Sequence, residues 1–231
     1  MTRSPAKKVA STVGSALAPK LVEFAPGMTS GFVQHALTRA IVGVGPLPGA
    51  AAAADKQLAE QHGDVDKAVR EVIENHVAYA GVGGFATNIG GLVTAAITIP
   101  TNVTGLALIE CRMVAAIAHL RGYDLEDQRT RNAILECLLG EEKVERQIKQ
   151  KKLPAPPMAL ATAPAYDPDV ATAITAQVAA ELLNRVVGKR LATTVGRRVP
   201  VVGGVVGASA DGYATWRIGR YAGRELLPRA R

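Results

Sequence analysis

A chain of 231 residues is long enough to bury one full hydrophobic core. Hydrophobic residues make up 48% of it but aromatics only 4%, and there are 23 glycines, a balance that favours tightly packed helices over a β-sandwich. The net charge of +7 points to anionic partners, and Cys111 and Cys137, lacking paired spacing or a nearby histidine cluster, argue against a disulfide framework or a zinc site.

Residues 1–49 read as an irregular N-terminal extension punctuated by proline and glycine, with one short helix from Phe32 to Val42. Arg3, Lys7 and Lys8 precede a stretch too broken by polar residues to serve as a signal peptide. The expected location is therefore the cytoplasm, on the inner face of the cell membrane. Residues 50–231 read as one helical domain. A first helix runs to Gln61, His62-Gly63 breaks it, and Asp64 caps an amphipathic helix with Val65, Val69, Val72, Ile73 and His76 on one side.

From Val77 to Ile109, 33 consecutive residues include no Asp, Glu, Lys or Arg. A surface helix has to meet water on one face, so this run belongs in a protein core, in lipid, or conditionally in either. Its glycines and Asn88 weaken the case for a permanent transmembrane helix. Gly83, Thr87 and Gly91 recur every four residues, a small face on which another backbone can approach closely. Pro100 interrupts the run and a helix from Asn102 to Leu120 follows. Its charges, Glu110 and Arg112, point about 200° apart and cannot neutralise each other. Glu110 has a route to the surface or to another helix. Arg112 has no acceptor on its own face, and the expectation is that it pairs with Asp211 between the two central helices.

Gly122-Tyr123-Asp124 stops that helix and starts the next, which reaches Leu139 before Gly140 ends it. Asp124 is expected as a cap and Asp127 in the first turn, with Arg129 and Arg131 solvated. The competing reading gathers Arg112, Asp124, Asp127, Arg131 and Asp211 into a polar site for an anionic headgroup or for hydrolase-like chemistry. Glu141 to Lys152 is densely charged, and residues 153–168 form a Pro/Ala-rich surface linker without a period. Two further helices, Pro168 to Thr194 and Ala208 to Leu227, are joined by a Pro200 to Gly207 turn.

Residues 181–231 hold ten Lys or Arg against three Asp or Glu, which accounts for the whole net charge. Arg197, Arg198, Arg217, Arg220 and Arg224 flank the uncharged Val199–Ala210 segment, where Gly203 and Gly207 repeat the small-residue spacing. An apolar element between arginines suits an anionic membrane surface. Tyr213, Arg217, Arg220 and Arg224 also fit a helix face that tracks nucleic-acid phosphates, a weaker reading because no known module accompanies it.

Catalytic and cofactor motifs fail on context. Gly81-Val82-Gly83-Gly84-Phe85-Ala86 spells a dinucleotide fingerprint but has no strand before it and no acidic residue where the ribose would be read. Ser209 sits in an incomplete nucleophile elbow. His35, His62, His76 and His119 show no metal-ligand spacing. No cofactor, metal or catalytic residue is assigned.

Several separated motifs nevertheless occur in a recognisable order: the glycine-rich run ending at Pro100, Arg112-Met113, Gly122-Tyr123-Asp124-Leu125 with Asp127 and Thr130-Arg131, and Pro200-Val201-Val202-Gly203-Gly204 with Gly207 and Asp211. Over roughly Gln57 to Arg224 the chain resembles the EcsC protein family, named for a bacterial protein encoded with ABC-transporter components. The resemblance implies a helical, membrane-related protein and supplies no reaction. The chain departs from the pattern in residues 1–49, in the Pro-rich 153–168 segment, and at Asn102, where an acidic residue is expected.

The expectation is an all-α helical bundle with a central pair of glycine-rich, uncharged segments. The expected function is non-enzymatic membrane association, peripheral or partly inserted, with anionic lipid or a membrane protein as partner. A homo-oligomer is compatible with it.

Overall fold

The computed structural model describes residues 30–45, 47–81, 101–196 and 200–229, with side chains described outside residues 81, 101–104, 186–196 and 200–210. The fold is all-α. Its elements are α1 (Ser30–Val42), the two-residue strands β1 (Gly43–Val44) and β2 (Leu47–Pro48), α2 (Ala50–Glu60), α3 (Val65–Gly81), α4 (Thr101–Leu120), α5 (Gln128–Cys137), α6 (Glu141–Lys149), α7 (Pro157–Ala161), α8 (Pro168–Gly196) and α9 (Pro200–Glu225).

The helix boundaries follow local chemistry. Asp64 Oδ1 accepts from the Lys67 amide at the start of α3, and Asp127 Oδ1 accepts from the Arg129 amide at the start of α5. Asp167 does the same for Asp169 at α8. At the ends of α2 and α4 the chain turns through His62 and Gly63 and through Gly122, all with positive φ. The α6 helix carries Glu141 and Glu142 in its first turn and Arg146 and Lys149 in its last, matching the helix dipole. Between α1 and α2, Gly43 has φ +99°, and a Cβ there would lie 2.6 Å from the Leu47 carbonyl oxygen, so the tight β1–β2 pairing needs glycine.

The axis of the bundle is α4. Every residue from Leu106 to Ala118 is buried, Glu110 and Arg112 included. A helix apolar all round has to be enclosed, and α1, α2, α3 and α9 pack around it, with α5 and α8 also in contact. Helix α9 packs tightly against the α3/α4 pair at Gly219. A Cβ on Gly219 would lie 2.9 Å from Ile73 Cγ1 and 3.0 Å from Met113 Sδ. Arg229 then ties the C-terminal end back, its amide donating to the Arg121 carbonyl at 2.8 Å.

Four expectations change. Residues 30–48 belong to the body, because α1 buries Val33, Ala36, Leu37, Ala40 and Ile41 against α4 and α8. The 153–168 segment is anchored: Leu153, Pro157 and Ala161 are buried at four-residue spacing, and α7 lies on α5. Pro200 begins a helix instead of a turn, since a first-turn proline sacrifices no intrahelical hydrogen bond. Finally, the small-residue contact seen in the described core is made by Gly219 and Gly223. Gly83, Thr87 and Gly91 lie outside the described residues. Gly203 and Gly207 are in α9, but what surrounds them is also outside the description.

Candidate functional site

The residues expected to form one polar site are divided among three places. At the α4–α5 turn, Asp127 caps α5 and takes a forked salt bridge from Arg129, whose other nitrogen donates to the Ala163 carbonyl. These hydrogen bonds hold the Asp127 carboxyl below the ordinary range. Asp124, expected to be the cap, instead accepts from the Glu126 amide within the turn, and Arg131, expected to be solvated, donates to the Leu125 carbonyl and to Glu126. Each group there is used in shaping the turn.

Asp211 lies elsewhere. It is close enough to Glu110 for its negative charge to act on that carboxyl. Glu110 is fully buried and accepts from Arg185 at 2.7 Å and from the Thr215 hydroxyl at 3.3 Å. Arg185 also donates to Glu181 and to the Leu138 carbonyl, and Lys143 pairs with Glu181 at 2.7 Å. Side chains of α4, α6, α8 and α9 and the carbonyl after α5 thus share one charged network. Burial raises the Glu110 carboxyl while Arg185 and Thr215 pull against it. For Arg185 burial opposes the charge, but Glu110 and Glu181 outweigh it and hold the guanidinium ionised. The arrangement is a lock between helices.

Contrary to the expectation, among the described residues no hydrogen bond or ion pair joins Arg112 to Asp211, and the Asp211 charge acts on Glu110. Arg112 lies instead against α3, beside His76 and Tyr79. It is 7% exposed, its Nε has no hydrogen-bond partner, and no ion pair reaches it among the described residues. Burial lowers its pKa, and Tyr79 alone offsets this. His76 Nδ1 donates to the Val72 carbonyl at 2.7 Å, and the ring meets Tyr79 edge-on with centroids 5.9 Å apart. Burial and the Arg112 charge push the His76 pKa down to about 4.

The sequence reading missed Glu136 and Arg185. Glu136 on α5 is fully buried with neither carboxylate oxygen hydrogen-bonded. Burial, reinforced by Glu225, pushes its pKa up to about 8. Tyr221 and Cys137 beside it are raised for the same reason. The signal was present in Ala133-Ile134-Leu135-Glu136-Cys137-Leu138-Leu139, where one acid stands in an otherwise apolar run. Arg185 was passed over because its helix, α8, shows no sided pattern of polarity in sequence.

The basic residues of α9 form an outer face. Tyr213 and Trp216 are 61% and 44% exposed and stack at 5.9 Å, and Arg220 lies over the Trp216 ring at 5.8 Å. Arg217 pairs with Glu142, and Arg224 with Glu141, across to α6. These two arginines are therefore partly neutralised, which the local charge count did not anticipate. Arg197 and Arg198 lie outside the described residues. Among the described residues no helix is long and apolar enough to cross a membrane, and no cluster of His, Cys, Asp or Glu could hold a metal ion.

The family model of the EcsC protein family matches residues 15–229. That match includes α1, which the motif resemblance had left out. No curated protein and no solved structure matches the chain.

Proposed function

The chain belongs to the EcsC protein family, and from that premise we propose that it is a non-enzymatic protein of the membrane surface, docking on anionic lipid at the cytoplasmic face of the cell membrane. The observation that carries the reading is the exposed Tyr213–Trp216–Arg220 cluster on α9. Two stacked aromatic rings facing solvent leave apolar area in water that a headgroup layer would take up, and both ring types have one polar end suited to that boundary. Arg220 adds a positive charge to the same patch, worth roughly 1 kcal/mol near an anionic surface. The uncharged first half of α9, residues 200–210, continues from it along the chain. The charged network argues in the same direction: Glu110, Glu181 and Arg185 satisfy one another as structure, and among the described residues no nucleophile, base and orienting group share a place.

Trp216 is the chain's single tryptophan and reports directly on the proposed contact. Its emission should shift to the blue with anionic vesicles, stay in place with zwitterionic vesicles, and return on adding salt. Tyr213→Ala with Arg220→Ala should weaken the shift. An unmoved spectrum with anionic vesicles refutes the proposal. A salt-dependent shift of nonspecific DNA without vesicle binding would favour the nucleic-acid reading.

A further inference from the structure

Arg112 and His76 sit in one polar cluster in which two buried nitrogens find no hydrogen-bond partner among the described residues. Arg112 is nine-tenths buried with an unpartnered Nε–H. His76 is buried to the same degree, and its Nε2 is also unpartnered. The Val72 carbonyl can only accept, so His76 Nδ1 carries the proton and Nε2 presents a lone pair. Tyr79, 44% exposed, places the cluster beside solvent. A buried guanidinium that no carboxylate reaches among the described residues is destabilising, which makes this an unusual set of residues to keep for structure alone.

The geometry points to a binding site for a phosphate monoester, formed by Arg112, His76 and Tyr79. The unused groups are one cation with a free donor and one neutral acceptor. A ligand that satisfies both needs anionic oxygens for Arg112 and a remaining O–H for His76 Nε2. Inorganic phosphate keeps such a proton near neutral pH, and a phosphate monoester, whose second pKa is about 6, keeps one in its monoanion, whereas sulfate and phosphate diesters have none. Two sources share this chemistry: a soluble phosphate compound and the headgroup of a phosphomonoester lipid. The headgroup version rests on the membrane reading above, and the soluble version does not. Packing of α3 against α9, the helix that carries Trp216, favours the headgroup.

The test is calorimetric titration of the full chain with inorganic phosphate, glycerol 3-phosphate and sulfate at about pH 6, where the monoester monoanion is populated. Phosphate and glycerol 3-phosphate should bind roughly tenfold more tightly than sulfate, which leaves the His76 acceptor unpaired. Arg112→Met should abolish binding yet melt no lower than the wild type, because it removes an unpaired buried charge. His76→Phe should erase the preference over sulfate. The source is then read with Trp216 and two phosphatidylcholine vesicles of matched surface charge, one carrying phosphatidic acid and the other phosphatidylglycerol. Preference for phosphatidic acid that disappears in Arg112→Met assigns the lipid headgroup, and phosphate binding without that preference assigns a soluble ligand. Sulfate binding as tightly as phosphate, or undiminished binding by Arg112→Met, overturns the site. If phosphate fails to bind while Trp216 responds equally to both vesicles, the site is wrong and the surface reading stands.

Discussion

Glu136→Gln isolates the most unusual group in the core. In the folded protein the Glu136 pKa is pushed from 4.5 to about 8, first by burial and then by the charge of Glu225. A raised carboxyl pKa means that the folded state holds the proton more tightly than the unfolded chain. Stability from this group is therefore complete below about pH 4.5. It declines by about 1.4 kcal/mol per pH unit as the unfolded chain ionises and the folded protein does not. The decline ends near pH 8, where both states are ionised. At pH 7, about 2.5 units above the unfolded value, the accumulated loss is about 3 kcal/mol. Glutamine keeps the shape and cannot ionise, and its own unpaired amide contributes an offset independent of pH. Urea denaturation of wild type and variant in steps from about pH 5 to about pH 9 gives the two stability curves. The variant should gain on the wild type with rising pH and the gap should level off near pH 8. Parallel curves across that range would show that Glu136 is not held protonated, and the account of this pocket would fail.

Gly219→Ala should lower stability by about 1–3 kcal/mol through overpacking against Ile73 and Met113. Gly223→Ala, whose Cβ would meet Val69 at an ordinary 3.5 Å, should gain up to about 1 kcal/mol of helix propensity. Melting shifts of the same sign would contradict the packing described for α9. Arg185→Met leaves Glu110 buried without its cation and should cost about 3–5 kcal/mol. Adding Glu110→Leu should recover much of that in a double-mutant cycle, while additive losses would exclude the lock. Asp127→Ala removes the α5 cap and should cost about 1 kcal/mol in chemical denaturation; no change would mean that Arg129 and the turn hold without it.

The sequence by itself determined the all-α class and much of the helix punctuation, because the signals are local. Asp64 satisfies an amide three residues away, Gly63 and Gly122 take φ values that other residues avoid, and the uncharged stretch through Ile109 called for enclosure in protein or in lipid, whereas the α5 cap expected of Asp124 falls to Asp127. The burial of α4 followed from the same reasoning. Where the period was weak, local reading failed: Leu153, Pro157 and Ala161 form a buried row inside what composition alone marks as a linker.

Tertiary structure decided the partners of the charges. Glu110 and Arg185 are 75 positions apart and meet only because α8 lies beside α4, and Thr215 completes the contact from α9. The sequence showed that Glu110 and Arg112 could not pair with each other, but the choice of Arg185 for one and the His76–Tyr79 neighbourhood for the other depended on which helix packs on which face. The same holds for Arg217 and Arg224, whose charge is answered by Glu142 and Glu141 from a different helix. Hydrogen bonds within one turn are written in neighbouring residues, whereas a buried charge takes its partner from whatever the packed helices bring across, and that is settled only by the arrangement that closes the core.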